Sequence, residues 1–288
     1  MSILRWVVLG SLLAACGIGQ PAQAANFGIF VGCNTGCGDP ISINNQPGPV
    51  GDSLAGVNGA GSTAASAFAT YGSVGAGSSA VSSSGTVGES AGGTAFFADT
   101  VLFAKTNPLA PDQFNVSLNL SFAGLLNAAA IAGSNAQASV NVTVGLFTPN
   151  ELHIVYSGDG GFLLTSDFSG TGTIVPGAAG FSSLLATTLQ SATVGTVSFS
   201  LLLAANSGAR FGGASATSDF SNTLEVPTGI DVFNLPEGYT ANAGNWLVNN
   251  RFVGAETPLP AALPLFATGL GALGLLGWRR KKKAALAA

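Results

Sequence analysis

The chain predicts an all-β protein. Its body reads as an antiparallel β-sandwich, jelly-roll-like, with an N-terminal signal helix in front and a C-terminal single transmembrane helix behind. Three observations predict this. Apolar and polar residues alternate with period two, most cleanly where Phe114, Val116, Leu118, Leu120 and Phe122 interleave with Asn115, Ser117, Asn119 and Ser121. About ten such stretches recur at roughly ten-residue spacing, separated by Gly, Pro, Asn and Ser turns. The long uncharged apolar runs lie at the two ends of the chain. A right-handed β-solenoid is the alternative, and the lack of a fixed repeat of roughly 20–25 residues counts against it.

Residues 1–24 read as a secretory signal: Arg5, an apolar run from Trp6 to Leu13, then small residues. Two processing sites compete. Ala22-Gln23-Ala24 suits ordinary signal peptidase, whereas Leu13-Ala14-Ala15-Cys16 would acylate Cys16. The first is preferred, because Pro21 precedes it and a membrane attachment at the C-terminus makes a lipid redundant.

Residues 25–61 form an N-terminal segment containing Cys, Gly and Pro, in which Asn34 to Gly61, made largely of Gly, Pro, Asn and Ser, reads as loop with at most short strands. Cys33 and Cys37 lie in the 25–61 segment, and export would place them in an oxidising compartment. Gly36 lets the short spacing close as a disulfide. Tetrahedral zinc needs four ligands, and His153 is the only histidine; no metal and no cofactor is expected.

Residues 62–255 form the sandwich domain. Small residues alternate from Ser62 to Ser90, and a strand follows from Thr94 to Phe103. Lys105 to Asp112 is a turn with Pro108 and Pro111. Phe114 to Phe122 and Ala136 to Phe147 are strands, and Leu152 to Tyr156 is a short one. Gly158-Asp159-Gly160-Gly161 is a turn, read in preference to a Ca²⁺ loop that would also use Asp167. Phe162 to Phe168 and Gly172 to Val175 are plausible strands, and Phe181 to Leu189 could be a helical turn. Thr193 to Ala205, Ser215 to Val226 and Asn245 to Val253 complete the set.

Only 8% of the 288 residues are charged, against a usual ~25%. Of the nine cations, Arg5 and the five from Arg279 to Lys283 lie outside the body, leaving Lys105, Arg210 and Arg251. All 13 acids lie between Asp39 and Glu256, so the interior of the chain carries 3 − 13 = −10. Such a surface offers nucleic acid no electrostatic footprint.

Residues 256–288 have three parts in fixed order. Pro258, Leu259, Pro260 and Ala261 sit in a Pro-punctuated motif; an apolar run extends to Trp278; then Arg279, Arg280, Lys281, Lys282 and Lys283 stand together. Ala261 to Trp278 is 18 residues, about 27 Å as helix, at the short end of what spans a bilayer. The basic cluster would hold the tail on the cytoplasmic side.

This arrangement resembles the PEP-CTERM protein-sorting signal in its VPLPA-type variant, with Thr257 standing where that variant usually has Val. The resemblance implies processing near Pro258–Ala261 by the membrane protease-transpeptidase exosortase, after a stage held in the inner membrane of a Gram-negative-type bacterium. It implies delivery to the cell surface or extracellular matrix, and a role with exopolysaccharide or biofilm. No Leu-Pro-x-Thr-Gly sortase motif occurs. Phe97-Ala98-Asp99-Thr100, Ala216 to Thr223 and Leu235 to Thr240 are also similar to exported proteins of this type.

Enzyme chemistry finds little purchase. His153, between Leu152 and Ile154, reads as a surface residue of an alternating strand. There is no Gly-x-Ser-x-Gly elbow, no phosphate loop, and no carboxylate pair in a motif that would mark a glycosidase. A carbohydrate-binding module is the alternative, with Trp246, Tyr239, Tyr156 and Tyr71 as the available aromatics, although Trp246 reads first as core. A secreted hydrolase ranks third. The expectation is therefore an exported, non-catalytic surface or matrix protein.

Overall fold

A computed structural model describes residues 25–253, apart from 35, 86, 169–180 and 245. The expected signal segment 1–24, the expected strand Gly172 to Val175, the expected sorting motif Pro258–Ala261, the apolar run and the basic tail all lie outside the described residues. The chain divides into two units after Val253.

The described residues form strands and turns and no helix. In chain order the strands are β1 (Asn26–Cys33), β2 (Ile41–Gln46), β3 (Val50–Asn58), β4 (Gly61–Thr70), β5 (Ser73–Ser82), β6 (Gly88–Lys105), β7 (Gln113–Ala129), β8 (Asn135–Gly145) and β9 (Asn150–Ser157). There follow β10 (Phe162–Ser166), β11 (Phe181–Ala186), β12 (Gln190–Thr193), β13 (Gly195–Arg210), β14 (Ala214–Glu225), β15 (Phe233–Asn234), β16 (Tyr239–Asn242), β17 (Leu247–Val248) and β18 (Arg251–Phe252). One sheet runs β10-β9-β8-β13-β6-β1-β2, with β16 also on β6. The other runs β11-β7-β14-β5-β4-β3, with β12 and β15 also on β7. All these pairings are antiparallel. The two sheets face each other as a sandwich-like body.

Period-two alternation places the core. In β6 the inward positions are Glu89, Ala91, Gly93, Ala95, Phe97, Asp99, Val101 and Phe103, each buried. Its neighbour β13 runs antiparallel and presents Ala209, Ser207, Ala205, Leu203, Leu201 and Phe199 opposite the first six. From Gly93 to Phe97 on β6 and from Ala205 to Phe199 on β13, side-chain size rises in the same direction. The facing sheet repeats the gradient: β4 and β5 bury Thr63, Ala65, Ala76 and Ala80, whereas β7 buries Phe114, Leu118 and Leu120.

The sandwich is therefore a wedge. At its narrow end the sheets nearly touch. Cα atoms of β5 and β6, on opposite sheets, come within 8 Å, against the usual ~10 Å between stacked sheets. A Cβ on Gly93 would overlap the Ser66 carbonyl oxygen of the facing sheet and stand 3.1 Å from that of Gly77. Serines fill what space remains: Ser78 Oγ lies 2.8 Å from Ser207 Oγ across the sheets, and Ser207 Oγ donates to the Ser78 carbonyl at 3.0 Å. At the wide end the filling is aromatic. Phe103 packs edge-on to Phe114 and Phe233 of the other sheet, with ring centroids 5.6 and 5.2 Å apart.

Three sequence expectations need correction. Asn34 to Gly61 is not mainly loop: β2 and β3 run through it, held by backbone pairing to β1 and β4. Phe181 to Leu189 is not a helical turn; its first part is β11, drawn into the sheet by the free edge of β7. Asn245 to Val253 is not one strand but a two-residue hairpin of β17 and β18.

Candidate functional site

The sequence singled out Cys33 and Cys37, and the structure joins them in a disulfide with Cα atoms 6.1 Å apart. Cys33 ends β1; Gly36, at φ +73°, turns the chain back so that Cys37 returns beside it. The loop rests on Gly56 of β3, where a Cβ would stand 2.6 Å from the Cys37 nitrogen. Cys37 Sγ lies 3.0 Å from Thr63 Oγ1. The disulfide thus clamps the narrow end, and it is a structural fastening.

Trp246 is fully buried and cannot serve as a sugar platform. Its ring stacks on Phe199 at 5.6 Å and meets Phe97 edge-on at 5.6 Å. Its Nε1–H donates to Asp99 Oδ2 at 2.8 Å, while the Thr100 N–H donates to Asp99 Oδ1 at 2.7 Å. Burial raises the Asp99 carboxyl above its usual 3.8, and these two donors pull the other way. Asp99 shares the parity of Phe97 and Val101 in β6, so its burial was written in the alternation.

The remaining expected residues are dispersed. His153 is half-buried on the outer side of β9, opposite Asn141 and Thr165. Asp159 accepts from the Gly161 N–H at 3.0 Å and closes the turn before β10. Among the described residues no three His, Cys, Asp or Glu side chains gather as a metal site would require. Tyr239 Oη donates to the Pro111 carbonyl, and its ring lies 4.4 Å from that of Phe114.

One hollow at the wide end does bring several side chains together. A groove of about 310 Å³ opens where the β4–β5 turn, the end of β14 and β18 meet, and Phe68, Tyr71 and Phe252 wall it. Thr70, Ser73, Glu225 and Thr228 supply its polar side chains. Gly72 makes the arrangement possible. It sits in the turn at φ +67°, and a Cβ there would stand 2.7 Å from Phe252 Cε2. The Val226 N–H donates to the Gly72 carbonyl at 2.7 Å and ties the turn to the end of β14.

Two of the walls are braced from behind. Tyr71 meets Phe27 edge-on at 4.9 Å, and Phe252 leans on Trp246 at 6.3 Å. Only Tyr71 of this group was named from the sequence. Phe68, Glu225 and Phe252 belong to segments far apart in the chain, and no local spacing links them.

No protein-family model, curated protein or solved structure matches the chain.

Proposed function

We propose that this is an exported, non-catalytic protein of the cell surface or extracellular matrix, sorted by exosortase and associated with exopolysaccharide. The signal helix at 1–24 and the membrane-crossing helix after Ala261 belong to that reading. The observation that carries it is the order at the end of the chain: Pro258-Leu259-Pro260-Ala261, an uncharged run to Trp278, then Arg279 to Lys283.

The body is consistent with a binding or scaffolding part. Its buried acid Asp99 holds a tryptophan in place, and its single histidine stands on an outer face. Of its three cations, Lys105 and Arg251 are paired with Asp112 and Asp231. Low charge and outward Ser, Thr and Asn suit a hydrated matrix.

The test is the intact mass of the protein recovered from outside its own host cells. The expected species begins at Ala25 and ends near Pro258–Ala261. A mass retaining Arg279 to Ala288, or a lipid on Cys16, would overturn the reading.

A further inference from the structure

We propose that the groove walled by Phe68, Tyr71 and Phe252 binds a neutral polysaccharide, seating one pyranose ring at a time. This gives a ligand and a place to the polysaccharide association above and rests on that part of it; it does not depend on how the protein is sorted.

The chemistry of a sugar asks for two things at once. Its axial C–H groups make an apolar face that lies on an aromatic ring, and its rim of hydroxyls needs acceptors and donors close by. The groove has both. Phe68, Tyr71 and Phe252 line about 310 Å³ of open space; Thr70 there already donates to the Ser73 carbonyl, and beside it stand the carboxylate of Glu225 and the hydroxyls of Ser73 and Thr228. Those polar groups are unspent: among the described residues the side chains of Ser73, Glu225 and Thr228 make no hydrogen bond or ion pair. A carboxylate can accept from two neighbouring hydroxyls, which gives charge-assisted bonds and a preferred ring orientation.

Rigidity favours binding too. Tyr71 is wedged against Phe27 and Phe97, and Phe252 against Trp246. A ligand entering the groove therefore orders little that is not already ordered.

Charge selects the ligand class. Between Asp39 and Glu256 the chain carries 3 − 13 = −10, and Glu225 stands in the groove itself. A uronate polymer would bring like charge to that carboxylate, whereas a neutral chain meets no repulsion.

The test uses the purified full chain in detergent, titrated with oligosaccharides of glucose, galactose, mannose and xylose, and with oligouronates. Saturable binding of at least one neutral sugar is expected, with Kd on the order of 0.1–1 mM. Glu225→Gln should weaken it about tenfold or more, and Phe252→Ala should abolish it. Thermal unfolding of each variant is recorded alongside. Glu225 is exposed, so Glu225→Gln decides the matter even where Phe252→Ala fails to fold. No binding to any neutral sugar, undiminished binding in Glu225→Gln, or tighter binding of the uronates would each overturn the proposal. Because Glu225→Gln leaves the tail untouched, the mass of the secreted species reports on sorting separately.

Discussion

Trp246 and Asp99 are joined inside the core. The indole N–H donates to the carboxylate at 2.8 Å, linking the segment between β16 and β17 to the middle of β6. Removing the acceptor leaves a buried N–H without a partner, which costs about 1–3 kcal/mol. Asp99→Ala should lower stability by that amount in urea unfolding, with fluorescence of Trp246 shifting to longer wavelength. An unchanged midpoint would show that the bond contributes nothing.

The same carboxyl gives a pH dependence of known sign. Burial raises its value in the folded protein above the usual 3.8, so folding favours the neutral acid. The stabilisation from this group is complete below the usual value and is lost as pH rises through the raised one. Asp99→Asn removes that slope. The stability difference between the native chain and Asp99→Asn should therefore move against the native chain as pH climbs from ~4 toward neutrality. Parallel curves across that window would refute the assignment.

Gly93 stands where the sheets are closest. Gly93→Val would drive a branched side chain into the Ser66 and Gly77 carbonyls and should cost about 2 kcal/mol or more. Gly208→Ala, in open space, should stay within about 0.5 kcal/mol of the native chain. Equal effects at the two positions would mean that the narrow end is not closely packed.

Glu89 lies at the narrow extreme of β6, 2% exposed, with neither carboxylate oxygen bonded. A buried polar group without partners opposes folding. Glu89→Met, of similar length, should raise stability by roughly 1–3 kcal/mol. A drop in melting temperature would show that the carboxylate is satisfied in solution.

The Cys33–Cys37 loop is short, with a separation of 4 residues, so chain entropy predicts about 2 kcal/mol from the bond. Urea unfolding with and without dithiothreitol measures it directly; no shift would mean that the loop is held by its seat on Gly56 instead.

The strands legible in the sequence were those whose alternation is carried by large side chains, such as Phe114 to Phe122. The Ala and Ser alternation from Ser62 to Ser90 was also readable, because the pattern needs parity and not bulk. What stayed hidden depended on partners distant in sequence. Phe181 to Leu189 has apolar spacing that fits either period, and the edge of β7 decided it. In β3, Gly51, Asp52 and Ser53 face solvent, and only backbone pairing to β4 reveals the strand. The groove was invisible for the same reason: Tyr71, Glu225 and Phe252 meet only after three turns of the fold have been made.

The wedge gives the body a polarity. Asn26 pairs with Ala98 beside Asp99, and the Val253 N–H donates to the Trp246 carbonyl at 2.9 Å, so the first and last described residues emerge at the wide end. Whatever grips either terminus grips that end. The opposite pole carries the disulfide and the tight Gly and Ser hairpins, so the two ends of the body differ in both packing and chemistry.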